Sequence, residues 1–234
     1  MQPMKPFNIP NALEFFIETY PDAETILKAI KKGDSNTRYA LARLWLSEGI
    51  PCCFRSQPAI YEAMRLWLSY NLPVHMHAKE ITLIGSGRQG FSLSPDEHFG
   101  RPFGDYSDLD FSAVSLSLFK HLERAFNRWL NDYLKRAVLP RNDREKEYWQ
   151  DNARKVPSNL ACGFIDPYKI PTFDQYPEAQ TTLDAMYKAH IKLSVTAGAP
   201  RVRRVSIRIY RDWGSFVRQL SINLKALLRM NPGK

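Results

Sequence analysis

Hydrophobic positions in the first eighty residues recur at intervals of three and four, which is the pattern of amphipathic helices. The segment Asn11–Lys32 predicts two helices separated at Pro21, because proline removes a backbone donor and breaks a helix. Asp34 can cap a further helix that ends near Gly49. The hydrophobic stripe at helical spacing in Pro58–Tyr70 predicts another helix. We therefore expect the chain to begin with packed helices.

The pattern changes after residue 78, where short runs typical of strands appear. Glu80–Ile84 is an apolar run that ends at a Gly-Ser-Gly turn, and Asp108–Val114 alternates as a strand with one buried face does. Asn159–Ile165 and Val205–Tyr210 are the other predicted strands. The segment between Gly90 and Tyr106 is rich in Gly, Ser and Pro and indicates an irregular loop.

Helical spacing returns between and after these strands. The predicted segments are an amphipathic helix over 119–133, a charged helix or linker over 141–155, a helix over 181–195, and a helix over 213–228 capped by Asp212. The expected fold class is α+β, with a mixed β-sheet flanked by helices. We expect an N-terminal helical segment over residues 1–78, packed on a core domain over residues 79–234.

Composition narrows the class of protein. The 234 residues are 44% hydrophobic and 24% charged, which is typical of a globular chain rather than a disordered one. No run of about 18 apolar residues is present, so a membrane span is not expected. Met1–Pro10 lacks the apolar stretch of a secretory signal, and three cysteines do not make a disulfide framework. A cytoplasmic protein is expected.

Charge is unevenly placed along the chain, whose net charge is +9. From Tyr187 onward, eleven Lys and Arg residues face a single acid, Asp212. Such a segment attracts RNA, DNA or a nucleoside triphosphate, although a solvated basic face without a partner explains the same pattern. Arg208, Arg211 and Arg218 are candidates to line a groove for an anion, with the same alternative for each.

Asp108 and Asp110 carry the candidate chemistry. Side chains at i and i+2 of a strand project from one face, so the two carboxylates point together while Leu109 and Phe111 point into the core. Like charges side by side repel unless a cation lies between them. Hard cations such as Mg²⁺ take oxygen ligands, and a metal pair can hold the attacking and leaving oxygens of a phosphoryl transfer.

The Gly85-Ser86 turn supplies a second element. Glycine lets the backbone approach a phosphate closely, and free N–H groups in such a turn bind anions. The Ser86 hydroxyl can add a donor, and Arg88 can neutralise further phosphate charge. Each piece alone is weak, since Asp-x-Asp more often marks a turn or a solvated edge than a metal site.

In combination, Ile84-Gly85-Ser86 and Ser107-Asp108-Leu109-Asp110-Phe111 resemble the DNA polymerase β-like nucleotidyltransferase superfamily, including its stand-alone bacterial members. The resemblance covers only about residues 81–114 at the level of motifs. It implies a nucleoside triphosphate as donor and Mg²⁺ or Mn²⁺ as cofactor. It also implies that Asp108 and Asp110 bind the metal and catalyse, and that Gly85, Ser86, Arg88 and Ser107 hold the nucleotide.

Two departures from the family matter. The segment between Ser86 and Asp108 is longer than the family usually shows, which indicates an inserted loop that is either a lid or a surface excursion. The family also uses a third carboxylate on a later strand. Asp166 is the best candidate, with a simple Asp-Pro turn as the alternative, and Asp212 is the rival, with a helix N-cap as its alternative.

The expected function is transfer of a nucleoside monophosphate from a nucleoside triphosphate to an acceptor hydroxyl. The basic C-terminal part favours RNA as acceptor, while a protein or a nucleotide acceptor, and a toxin–antitoxin or phage-defence setting, follow from the resemblance alone. The alternative is a catalytically weak nucleotide- or RNA-binding regulatory module on the same fold. A third hypothesis is a basic RNA-binding protein in which the aspartates are structural.

Overall fold

The structure, a computed structural model, describes residues 20–96 and 98–229. These residues form eight α-helices: α1 (Ala23–Lys32), α2 (Ser35–Leu44), α3 (Pro58–Asn71), α4 (Gly85–Gln89), α5 (Leu116–Leu134), α6 (Asp143–Ala161), α7 (Pro177–Ser194) and α8 (Trp213–Ala226). None of these described helices is both long enough and apolar enough to cross a bilayer. The first of the two helices predicted within Asn11–Lys32 lies outside the described residues, and the second is α1.

Four strands form one mixed sheet in the order β1-β2-β4-β3: β1 (Ile81–Ile84), β2 (Asp108–Val114), β3 (Phe164–Ile165) and β4 (Arg204–Tyr210). The central pair, β2 and β4, is parallel, while β1 pairs with β2 and β3 pairs with β4 in the antiparallel sense. The prediction of an α+β fold with a mixed sheet flanked by helices is confirmed at this level.

The apolar face of the sheet packs on α3, α5, α6 and α7. Leu109 and Phe111 are buried on this face beside Ile207 of β4, as their alternation with the two aspartates predicts. Removing each large apolar side chain from water contributes about 1.5–3 kcal/mol, which makes this layer the main source of stability. Leu68 of α3 lies in the same cluster, so the helices before residue 78 share a core with the sheet.

The opposite face of the sheet is apolar at one end of the strands and polar at the other. At one end, Val114 and Tyr210 are covered by α1, α2 and α8 in a second apolar cluster. At the other end, the same face of β2 and β4 carries Asp108, Asp110 and Ser206. The polar half borders a cavity, which α8 also lines through Leu220, Asn223, Leu224 and Ala226.

The strand predicted over Asn159–Ile165 is wrong in its first half, because α6 continues to Ala161 and only Phe164–Ile165 pairs with β4. Val156 and Leu160 extend the buried stripe that begins at Trp149, so packing keeps the helical spacing despite Pro157 inside the helix. The same helix settles the alternative over 141–155 in favour of a helix rather than a linker.

Candidate functional site

The antiparallel pairing of β1 with β2 brings the two predicted motifs together. Ile84, the last residue of β1, lies opposite Asp110, so the turn at Gly85 begins beside that carboxylate. Gly85 has a φ of 70°, in the left-handed region that glycine adopts readily. A Cβ atom added at Gly85 would lie 3.2 Å from Asp110 Oδ2, so the close approach depends on the missing side chain.

A cavity of about 820 Å³ lies at this junction, within the roughly 300–1,000 Å³ range of small-molecule sites. Gly85, Ser86, Asp110 and Asp166 all line it, so the structure brings these four predicted residues together. Its polar lining also includes three residues of β4 and one tyrosine that follows β3: Arg204, Ser206, Arg208 and Tyr168.

Asp110 is the carboxylate at the centre of this lining. Its Oδ1 accepts a hydrogen bond of 2.6 Å from the Ser206 hydroxyl. Burial raises the pKa of Asp110 above its ordinary value, and the nearby negative charge of Asp108 adds to the shift. Its Oδ2 makes no hydrogen bond with any described residue, so one oxygen remains available to a ligand in the cavity.

Asp108 is held differently. Arg203 donates to both carboxylate oxygens at 2.9 and 3.0 Å, and Arg204 donates to Oδ2 at 2.8 Å. Burial alone would raise the pKa of Asp108, but the hydrogen bonds from the two guanidinium groups outweigh it and hold the pKa below its ordinary value. Asp108 does not itself line the cavity, and Arg204 connects the two.

Asp166, the candidate third carboxylate, is buried at 6% exposure. It forms a two-pronged ion pair with Arg208, whose Nε and Nη2 lie 2.7 and 3.0 Å from its oxygens. It also precedes the 3-10 turn Pro167–Lys169 without capping it through its side chain. The structure thus places Asp166 in the lining, but with its charge already paired.

Asp212, the rival candidate, caps α8. Its Oδ1 accepts a hydrogen bond of 2.6 Å from the Ser215 backbone, and its Oδ2 accepts one from Arg211. The N-cap predicted for this residue is confirmed. Asp212 does not line the cavity, so its carboxylate serves the helix.

The structure does not bring Arg88 or Ser107 to the cavity. Arg88 is 3% exposed, donates to the Ile50 carbonyl at 2.7 Å and lies over the Tyr20 ring. The Ser107 hydroxyl accepts from the Gly104 backbone and is buried in the turn before β2. Instead of the expected phosphate contacts, each side chain makes a hydrogen bond with the backbone of a neighbouring loop. For Arg88 this follows from α4, which directs its side chain toward Ile50.

Of the three arginines predicted to line a groove, Arg208 lines the cavity and Arg211 and Arg218 do not. Sequence reasoning missed Arg204, Ser206 and Tyr168. The alternation Arg204-x-Ser206-x-Arg208 signals a polar strand face, but it does not reveal that β4 pairs with β2. Tyr168 is 48% exposed, and its backbone carbonyl accepts from the Tyr148 hydroxyl. A half-exposed tyrosine offers a ring face on which a base can stack.

The cavity lining meets only part of what a divalent cation needs. In the described part of the chain, no group of three or more His, Cys, Asp or Glu residues is arranged to hold a metal ion. The face of β4 beside the aspartates carries Arg204, Ser206 and Arg208, so the later strand next to β2 supplies no carboxylate there. The unpaired Oδ2 of Asp110, beside the space left by Gly85, is nevertheless a suitable oxygen ligand.

Comparisons of the chain with known protein families, with curated proteins and with solved structures found no match. A functional assignment therefore depends on the chemistry of the residues around the cavity.

Proposed function

We propose that this protein is a metal-dependent nucleotidyltransferase. The observation that carries the proposal is the meeting of Gly85-Ser86 with Asp110 at one cavity, although more than twenty residues separate them in the chain. In the proposed reaction an acceptor hydroxyl oxygen bonds to the α-phosphorus of a nucleoside triphosphate. The bond from that phosphorus to the bridging oxygen breaks, pyrophosphate leaves, and the hydroxyl proton passes to solvent.

Asp110 and Asp108 are the proposed ligands of Mg²⁺ or Mn²⁺. Two observations support Asp110: its Oδ2 is unpaired among described residues, and it lies on the cavity lining. Asp108 lies two residues away on the same strand face, and its arginine partners are exposed. When bound, the metal would neutralise phosphate charge and polarise the reacting phosphoryl group.

The remaining lining suits a nucleotide. The Gly85 backbone and the Ser86 hydroxyl would contact phosphate oxygens, and Arg204 adds positive charge to the same lining. Tyr168 would stack on the base. The exposed arginines between α7 and β4 favour RNA as the acceptor, because they extend positive charge beyond the cavity.

A second candidate is a nucleotide- or RNA-binding regulatory module with little turnover. Two observations favour it: Asp108 and Asp166 are both paired with arginine, and β4 carries no carboxylate beside Asp110. A site with only one unpaired carboxylate oxygen can bind nucleotide without supplying the charge arrangement that transfer needs.

The deciding experiment uses each of the four nucleoside triphosphates, labelled on the α-phosphate. Each is incubated with the protein, a short single-stranded RNA and Mg²⁺ or Mn²⁺. We expect label to pass to RNA with at least one nucleotide. Asp110→Asn should reduce transfer at least about 100-fold, because the variant keeps an acceptor for Ser206 but loses the charge. Asp105→Asn, an exposed aspartate outside the cavity, is the matched control.

The outcomes separate the candidates. Nucleotide binding without transfer to RNA or to the protein itself, with any of the four nucleotides, would support the binding module. Equal RNA binding by wild type and Asp110→Asn, with neither binding metal or nucleotide, would refute the transferase and any nucleotide-binding role of this cavity, and would leave an RNA-binding protein in which the aspartates are structural.

A further inference from the structure

Asp108 is almost enclosed by two guanidinium groups that are themselves in solvent. Its side chain is 14% exposed, whereas those of Arg203 and Arg204 are 64% and 66% exposed. Two positive charges therefore surround one negative charge, and the group of three carries a net charge of +1. Arg204 also lines the cavity, so one of these two guanidinium groups lies at the cavity itself.

Exposed ion pairs of this kind are weak, since water screens them and both long side chains lose rotamer freedom. Arg208 provides the contrast, because its pair with Asp166 is largely enclosed, with side-chain exposures of 31% and 8%. The planar fork of an arginine matches a phosphate as well as it matches a carboxylate. Arg203 and Arg204 can thus exchange a carboxylate for a phosphate at little cost, whereas Arg208 stays paired with Asp166 inside the structure.

We propose that Arg203 and Arg204 form a phosphate-binding site for the triphosphate of the nucleotide, and that they leave Asp108 when this ligand binds. The identity of the ligand as a nucleoside triphosphate rests on the proposed function, whereas the exchange of partners rests on the contacts of Asp108. While both arginines hold Asp108, a divalent cation there would meet two positive charges at hydrogen-bond range. Release of the arginines to phosphate therefore frees Asp108 for the metal.

The exchange predicts cooperative binding. A triphosphate that binds alone must break the ion pairs of both arginines with Asp108. A cation that binds alone must break the same pairs, and the arginines then have no anion to bind. Together, each ligand removes the obstacle to the other, so metal and triphosphate should each raise the affinity for the other. The contacts of Asp108 thus couple the binding of the metal to the binding of the triphosphate.

The test measures the two ligands separately. Inorganic tripolyphosphate, which lacks a base, is titrated by calorimetry in the presence of EDTA, and Mn²⁺ is titrated by electron paramagnetic resonance in the absence of phosphate. The variants are Arg203→Gln/Arg204→Gln and Asp108→Asn. Arg201→Gln is the control, because Arg201 is exposed in the same segment but does not pair with Asp108.

The double arginine variant should bind tripolyphosphate about tenfold or more weakly, because two charge-assisted contacts are lost. The same variant should bind Mn²⁺ about three- to fivefold more tightly, because Asp108 is freed. Asp108→Asn should do the opposite, binding tripolyphosphate more tightly and Mn²⁺ more weakly. Loss of both guanidinium groups leaves the largely buried Asp108 carboxylate without these partners, so the unfolding midpoint of the double variant should fall slightly, and both ligands are titrated well below it.

Opposite changes for the two ligands are the signature of the exchange, since a general loss of structure would weaken both. If the double variant binds both ligands as Arg201→Gln does, the proposed phosphate site is wrong even when nucleotide transfer is observed. If the opposite changes appear but no nucleotide is ever transferred, the exchange stands and the transferase proposal fails.

Discussion

Gly85 and Asp110 approach so closely that a methyl group on Gly85 would lie 3.2 Å from Asp110 Oδ2. This contact joins the turn after β1 to the strand that carries both aspartates. Gly85→Ala should lower the free energy of unfolding by about 1–2 kcal/mol, the cost of a left-handed alanine. It should also weaken Mn²⁺ binding, because the methyl group crowds the unpaired oxygen.

Gly100→Ala is the matched control for this prediction. Gly100 has a φ of 75°, but an added Cβ would meet nothing closer than 4.0 Å. Chemical denaturation should show a similar loss of stability in both variants, and only Gly85→Ala should change Mn²⁺ affinity. Equal Mn²⁺ affinities in the two variants would show that Asp110 Oδ2 is not a metal ligand.

Asp110→Asn should stabilise the fold at neutral pH although it reduces transfer at least about 100-fold. Burial raises the pKa of Asp110, so ionising this carboxyl costs free energy in the folded protein that it does not cost in the unfolded chain. The stability linked to the neutral form is present below the ordinary aspartate pKa of 3.8 and is lost as pH rises through the folded pKa. The advantage of the variant should therefore grow with pH.

Thermal unfolding at about pH 3.5 and about pH 8 measures this difference, because the two values lie on either side of the start of the transition at 3.8; in a domain of this size about 1 kcal/mol corresponds to about 2–4 °C. Asp105→Asn should show no comparable change with pH, since that side chain is exposed. A lower midpoint for Asp110→Asn than for wild type at the higher pH contradicts the prediction.

The pair of Asp166 with Arg208 is expected to be structural. Removing one partner leaves a buried charge without compensation, so Asp166→Asn should lower the free energy of unfolding by about 3 kcal/mol. The double variant Asp166→Asn/Arg208→Gln should lose less than the sum of the single variants. Urea denaturation measures each value.

Asp151→Asn provides the comparison with exposed ion pairs, because its partners Arg154 and Lys155 are 75% and 61% exposed. This change should cost less than about 1 kcal/mol. If Asp166→Asn is equally mild but weakens Mn²⁺ binding, Asp166 is a metal ligand and its pairing with Arg208 is incidental to stability.

Tyr168 should contribute to binding of the base. Tyr168→Ala should weaken nucleotide binding about tenfold, because base stacking on an aromatic ring contributes about 1–3 kcal/mol. Tyr168→Phe keeps the ring and should bind normally. Tripolyphosphate, which has no base, should bind both variants equally well in calorimetric titrations.

Tyr187→Ala controls for the loss of any surface tyrosine, since Tyr187 is 67% exposed on α7 and does not line the cavity. A loss of tripolyphosphate affinity in Tyr168→Ala would point to a damaged cavity instead of a missing stacking partner.

Local periodicity was enough to predict much of this protein. The alternation in β2 placed Leu109 and Phe111 in the core and both aspartates on the other face, because neighbouring strand residues point to opposite sides. The position of Asp212 directly before an amphipathic helix predicts its role as the N-cap, which the structure confirms. These features depend on residues a few positions apart, which the sequence displays directly.

Contacts between distant segments were decided only by tertiary structure. Ser206 donates to Asp110, and Arg204 to Asp108, across 96 positions of the chain. Their meeting depends on the parallel register of β2 and β4, which the packing of both sheet faces determines. Arg88 shows the converse: it is three residues from Gly85, yet the turn of α4 buries it against Ile50. The sequence by itself determined which side chains face the polar side of each strand, whereas the register between strands decided which of them meet.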